Sequence, residues 1–426
     1  MSEQDAKLDE FAESDHPISD DTHRVGDRIK IIKGTKPDEV MKEPVDGAEK
    51  YLVVGTFTGE EKKYAVDDGA PRGKPEDVIM IMDGSKSGRV YPGGHGILGS
   101  TMASIRPDGI NPTFLYFFLE RAFNRINSAT KGSAVPHTDK DFVRSLKYKI
   151  TSLDEQRKIA SVLYTVDQAV QNTKKVIEQT KRLRTGIVQS IFRSGHKTHE
   201  SYQKTGSGEY SEMWDLVKFE DLIEDTRYGT DNKSNTEGKG YPTLRIPNVV
   251  EKRVTTDDLK HTPLDDDEFE RLRLEDDDIL VIRTNGNPNY VGRCATFTER
   301  TDSLVFASYL IRIRVDESRI RPAFVREFLN SQRGQNDMSG WVRSSAGNYN
   351  LTVAAIEKFD VPVPSLDEQE AIIKKIDSVE GLVQMNYQHL GQLQRLKQGL
   401  MQDLLSGEVR TYNKGIELVD DVFQHG

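Results

Sequence analysis

The chain has 426 residues, 30% of them charged and 8% aromatic, with a formal net charge of −10. Such a length suits two or three domains, each with its own core. No stretch approaches the roughly 18 apolar residues of a membrane helix, so a soluble, cytoplasmic protein with no membrane partner is expected.

Residues 1–23 hold eight acids against one lysine and no apolar core, which excludes a secretory signal and predicts a solvated, disordered acidic tail. Beyond it the charge is uneven: residues 24–149 carry +4, 150–213 carry +3, 214–364 carry −6 and 365–426 carry −4. Within the fourth segment, Asp265–Glu268 and Glu275–Asp278 are wholly acidic, whereas 279–343 holds ten arginines against six acids. Basic surface is therefore expected locally, despite an acidic total of the kind a salt-adapted cytoplasm also favours.

After the tail, Asp77-Val-Ile-Met-Ile-Met82 predicts a buried strand that ends in the Gly-rich turn Asp83-Gly-Ser-Lys-Ser-Gly88. A strand near Thr101–Arg106 and a short helix opened by Pro112 at its first position follow, then Lys131-Gly-Ser-Ala-Val-Pro-His137. The same series returns later. Asp278-Ile-Leu-Val-Ile-Arg283 leads into Thr284-Asn-Gly-Asn287, a strand near Tyr309–Val315, a helix opened by Pro322, and Ser344-Ser-Ala-Gly-Asn-Tyr-Asn350. Cys294, the one cysteine, excludes an internal disulfide and a multi-cysteine zinc site, and is expected as a small buried residue of a strand over Tyr290–Thr298.

The plainest repeat is Ser152-Leu-Asp-Glu-Gln156, which recurs as Ser365-Leu-Asp-Glu-Gln369, 213 residues on. Downstream, Ile159, Leu163, Val166, Val170, Ile177, Leu183, Ile187 and Ile191 correspond at that offset to Ile372, Ile376, Val379, Val383, Leu390, Leu396, Leu400 and Leu404. Spacings mostly of three and four, with one step of seven and one of six in each copy, place each set on one stripe of a helix. Ser152 and Ser365 are expected as N-caps, with Glu155 and Glu368 completing capping boxes; Gly195 and Gly407 close the helices. Thr173 and Asn386 interrupt the stripe in both copies, either to fix register between paired helices or simply as polar residues on a shifting stripe. Asp154 to Phe192 alone would span about 58 Å. A helix that long with one apolar stripe needs a partner, and its own duplicate is the simplest. The architecture predicted is α+β: two mixed α/β domains separated by two long helices that form an antiparallel coiled coil with pseudo-two-fold symmetry. Its divisions are an acidic tail at 1–23, a domain at 24–150, a helix at 151–195, a linker at 196–213, a second domain at 214–364, a helix at 365–410 and a tail at 411–426.

Signals for catalysis are weak. Asn287-Pro-Asn-Tyr290 resembles the Asn-Pro-Pro-Tyr motif of amino-methyltransferases, but its third position is Asn and no Gly-rich cofactor loop precedes it. A Gly-x-x-x-x-Gly-Lys-Ser/Thr phosphate loop is absent, and nine scattered histidines with one cysteine offer no metal-ligand spacing. No catalytic residue, metal or cofactor is expected in this chain.

From about Arg24 to Arg410 the sequence resembles the specificity subunits of type I restriction–modification systems. The resemblance rests on the duplicated Ser-Leu-Asp-Glu-Gln helix entries, on Tyr241-Pro-Thr-Leu-Arg-Ile-Pro-Asn-Val249, and on Asp83–Gly88 and Ala134–His137. It implies two target-recognition domains, each reading half of a gapped double-stranded DNA site. It also implies two helical regions that act as a ruler and dock two methyltransferase subunits, with restriction subunits joining the complex. S-adenosylmethionine, ATP and Mg would then belong to those partners. The first domain has no recognisable counterpart of Trp214 or of Tyr241–Val249.

On that reading, base edges in the major groove are read by basic and amide side chains in the loops. The candidates are Lys86, Arg89, Lys131 and His137 in the first domain, and Arg245, Asn248, Arg283, Asn285, Arg343, Asn348 and Asn350 in the second. Asn285, before Gly286, could instead serve its turn. A coil of ~58 Å corresponds to about 17 base pairs at ~3.4 Å each, an upper bound on half-site spacing. Two alternatives stay open: a coiled-coil adaptor whose domains bind protein, and the specificity chain of a related system with a fused methylase–nuclease partner.

Overall fold

The computed structural model describes residues 22–67, 69–132, 135–150, 152–195, 201–205, 208–250, 252–298, 303–345, 347–411, 414–416 and 418. The acidic tail expected over 1–23 lies outside them save its last two residues, as does most of the tail expected over 411–426. The chain divides into two compact units, 1–174 with 388–426, and 175–387. The long helices, Leu153–Ser194 and Leu366–Ser406, each contribute one half to either unit.

In the first unit a four-stranded antiparallel sheet runs in the order Ile29–Lys33, Met102–Pro107, Val78–Ile81, Val90–Pro92. Val78–Ile81 is apolar at every position because it is covered on both faces. Val78 and Met80 pack with Phe114 and Phe117 of the Pro112–Ser128 helix, while Ile79 and Ile81 pack with Leu52 and Leu98 of a second, mixed sheet.

The second unit repeats this order with Ile223–Tyr228, Leu310–Val315, Ile279–Ile282 and Cys294–Thr296. Ile279 and Val281 face Phe324 and Phe328, whereas Leu280 and Ile282 face Leu244 and Phe306. Cys294 is fully buried in its strand. The central strand of each unit is preceded by an aspartate held by a two-pronged arginine: Asp77 by Arg106 at 2.9 and 3.0 Å, Asp278 by Arg314 at 2.6 and 3.1 Å.

The first domain does have the segments its sequence hides. Tyr241–Leu244 pairs in parallel with Val305–Phe306, and Glu49–Leu52 pairs in the same way with Gly96–Leu98. Asp215–Lys218, after Trp214, pairs with Asp360–Val363, as His23–Arg24 pairs with Lys147–Tyr148. The resemblance is hidden because only inward positions such as Leu52 and Leu244 must stay apolar. The expected linker also carries structure: Tyr202–Thr205 and Gly208–Ser211 form a hairpin, and Tyr210 is buried with its hydroxyl donating to Asp337 at 2.8 Å.

The Ser-Leu-Asp-Glu-Gln entries follow a shared logic. Ser152 and Ser365 cap their helices through the N–H groups of Glu155 and Glu368. The glutamates do other work than the expected capping box. Glu155 accepts from the Arg410 guanidinium and from the Thr411 N–H, and Glu368 accepts from Trp214 Nε1 at 3.1 Å. Gln156 and Gln369 tie each helix to its domain, accepting from the Asn111 and Arg321 N–H groups at 2.8 Å. At the far ends Gly195 and Gly407 adopt φ of 80° and 79°, the left-handed closure their residue type permits.

Within each unit the two long helices pack antiparallel. In the first, Asp167 meets Lys397 while the earlier Glu155 meets Arg410; in the second, Arg184 meets Glu380 while the earlier Lys181 lies over Tyr387. The seam differs from the expected stripe at one place in each helix. Leu183 and Leu396 are 58% and 50% exposed, and the neighbouring Arg184 and Lys397 turn inward instead. Thr173 and Asn386 each bond back to a carbonyl of their own helix four residues earlier.

Candidate nucleic-acid interface

The two segments singled out in each domain come together in space. In the second unit, Thr284–Asn285, Asn348–Asn350 and Arg343–Ser345 form a small three-stranded sheet, with Thr284 and Arg343 both opposite Asn350. It gathers Asn285, Arg343, Asn348 and Asn350 beside Arg283, which ends the buried central strand. In the first unit the described residues of the same segments are joined by single bridges, Asp83 with His137 and His137 with Lys131. Ser87 donates to the Pro136 carbonyl at 2.9 Å and Gly84 donates to it as well, which seats the Asp83–Gly88 turn against that loop.

The side chains differ in how free they are. Lys86 and Arg343 are exposed, and no partner of either cation occurs among the described residues. Arg89 lies 5.0 Å from the Phe123 ring centroid, and Lys131 pairs with Asp139 at 2.7 Å on the surface. His137 Nδ1 donates to Asp83 at 2.6 Å, and Lys33 meets the same carboxylate at 3.2 Å. Burial pushes the Asp83 carboxyl up, but the hydrogen bonds from His137 and Lys33 outweigh it and hold the group below the usual carboxylate range.

In the second unit Arg283 stacks on Tyr228, 4.4 Å from the ring centroid, and donates to the Ser308 carbonyl. Asn285 Oδ1 accepts from the Asn287 N–H, so it serves its turn with that oxygen. Asn348 is exposed, and Asn350 is half-buried.

Two candidates stand apart. Asn248 is 2% exposed; its amide donates to the Thr255 and Asp257 carbonyls and accepts from the Arg245 N–H. It shapes the loop after Tyr241–Leu244 and presents no free group. Arg245 is largely covered and pairs with Asp258.

The arginines of 279–343 are a further correction, because five of the ten are held by carboxylates within the fold. Arg312 pairs with Asp225, Arg314 with Asp278, Arg326 with Glu327, Arg333 with Asp337 and Arg321 with Glu370. Counting residues along the chain could not separate these from surface charge.

Residues 21–182 and 211–395 match the family described as type I restriction modification DNA specificity domain. The chain belongs to this family. As a type I specificity subunit it is 25% identical over 402 residues to the MjaVIII specificity subunit of Methanocaldococcus jannaschii, covering 92% of this chain and 93% of that one. It is 25% identical over 316 residues to the EcoKI specificity subunit of Escherichia coli, covering 72% and 68%. The crystal structure of the type I S subunit from M. genitalium superposes with a TM-score of 0.56 at 16% identity, covering 92% of this chain and 98% of that one. A chain from a study of type I complex assembly and conformational transition gives 0.58 at 15%, covering 91% and 98%.

Residues missed from the sequence complete the face of this specificity subunit. Lys33 and Tyr228 occupy one structural place, opposite Ala103 and Ile311 at the ends of edge strands, and contact the residues just past the central strand. Tyr309 is 56% exposed beside Arg283, whose N–H bonds to its carbonyl. Only strand register reveals these neighbours, since they lie tens of residues from the turns they flank.

Proposed function

We propose that this chain supplies the DNA specificity of a type I complex, each unit reading one half of a gapped double-stranded site. The observation that carries this is the ribbon beyond the central strand, built in both units from the same segments but with different side chains. Lys86, Arg89, Lys131 and His137 face one half-site, with Lys33 beside them; Arg283, Asn285, Arg343, Asn348 and Asn350 face the other, with Tyr228 and Tyr309. Cationic and amide groups of this kind offer bidentate contacts to guanine and adenine edges. Arg245 and Asn248 support their loop instead.

The helices of 42 and 41 residues serve as the ruler between half-sites and as the seat of the methyltransferase subunits, with restriction subunits joining the assembly. Catalysis, with S-adenosylmethionine, ATP and Mg, falls to those partners, and the complex works in the cytoplasm. Selection of bound duplexes from a random library, using this chain with its methyltransferase subunit, tests the reading. Enrichment of two short motifs separated by a fixed unread gap is expected; a contiguous motif, or no enrichment, overturns it.

A further inference from the structure

Two partly buried charge junctions stand outside the candidate DNA face. In the first unit, Lys397 of the second long helix bonds Asp167 of the first at 2.7 Å and Glu120 of the Pro112–Ser128 helix at 2.9 Å. In the second unit, Arg184 of the first long helix bonds Glu380 of the second at 2.6 Å and Glu327 of the Pro322–Asn330 helix at 2.9 Å. Arg184 and Lys397 are 213 residues apart, and so are Asp167 and Glu380. One device is thus written twice, with cation and anion exchanging helices. Both cationic side chains are largely covered, at 15% and 14% exposure.

A covered ion pair adds little net stability, because the cost of removing two charges from water offsets most of their attraction. It does discriminate between arrangements. An apolar seam repeating every three or four residues can slide by one helical turn and still bury leucine against isoleucine. The same slide, about 5.4 Å, would strand Lys397 and Arg184 away from their carboxylates. The third arm, to Glu120 or Glu327, applies the same constraint to the helix on which each domain's core is built.

We propose that Arg184 and Lys397 are positioning residues, which lock the register of the two long helices and the seat of each recognition domain on them. On the DNA-reading function proposed above, they thereby fix the number of base pairs between the half-sites. Among the described residues Thr173 and Asn386 bond along their own helices and leave that task open.

The test uses the full chain with its methyltransferase subunit, and duplexes whose gap is native, one base pair shorter or one longer. Arg184→Met with Glu380→Leu, combined with Lys397→Met and Asp167→Leu, replaces both inter-helix pairs by apolar side chains and leaves Glu327 its bonds to Lys252 and Arg326, a change that keeps folding close to the parent's. Preference for the native gap is expected to fall by about tenfold while the thermal midpoint holds. Arg184→Lys and Lys397→Arg, which swap the cations the two copies already use, should keep the preference. Asp167→Asn with Glu380→Asn cuts only the arm between helices and leaves each cation its other carboxylate, so this variant reads register even if the apolar variant folds poorly. Parent-like gap preference in either folded variant overturns the proposal. Absence of any gapped preference in the parent would instead sink the DNA-reading function itself.

Discussion

The side-chain carbonyl of Gln156 accepts the backbone N–H of Asn111 at 2.8 Å, and the same amide donates to the Ile150 carbonyl at 2.8 Å. Gln369 repeats this with the Arg321 N–H and the Pro364 and Arg319 carbonyls. Both glutamines are fully buried. Replacing either by leucine keeps the volume but leaves a buried donor and acceptor without partners. A loss of about 2–4 kcal/mol is expected, read as a lower urea midpoint. Gln156→Glu restores the acceptor alone and should recover only part of it.

Arg343 and Arg314 should fail in opposite ways. Arg343→Ala removes an exposed cation from the ribbon, so affinity and selectivity at one half-site should drop by about 1–3 kcal/mol with an unchanged melting temperature. Arg314→Ala strands Asp278, whose side chain is 1% exposed, and should cost about 3 kcal/mol of stability before any effect on DNA. Melting curves and half-site binding, measured together, separate the two.

Asn248→Ala tests the assignment of that residue to the loop. Losing its bonds to Thr255, Asp257 and the Arg245 N–H should destabilise the second unit by about 1–3 kcal/mol. A stable variant with altered base preference would return Asn248 to the reading face.

Acid should loosen the first unit through Glu155. Burial pushes this carboxyl up, but the hydrogen bonds from Arg410 and the Thr411 N–H, with the charges of Arg410 and Lys158, hold it below its ordinary value. A lowered folded-state value stabilises the fold above the unfolded value of about 4.3. That contribution is lost as pH falls through the lowered value. Denaturant midpoints should therefore fall between pH 5 and 3 (about the range spanned by carboxylate titration), and Glu155→Gln should flatten that fall.

Periodicity made the long helices legible, because an apolar stripe, a serine cap and a closing glycine each leave a mark in the letters. The central strands were legible too, since burial on both faces demands an unbroken apolar run such as Ile279–Ile282. What stayed hidden depends on pairing between distant segments. Glu49–Leu52 looks nothing like Tyr241–Leu244, yet each lies parallel to the corresponding strand of its own unit, Gly96–Leu98 and Val305–Phe306. Likewise Arg343 and Arg314 are indistinguishable as letters, and only the fold shows that one is exposed and the other holds Asp278. Leu183 matched the stripe by spacing alone, and the charge beside it took the inward place.

On the proposed function, this chain selects where a partner modifies DNA. Genome-wide adenine methylation, compared between a strain carrying the gene with its methyltransferase partner and the same strain lacking only this gene, tests it most directly. The expected result is loss of methylation at one gapped, two-part motif. Unchanged methylation at every gapped motif, with the partner expressed, would contradict it.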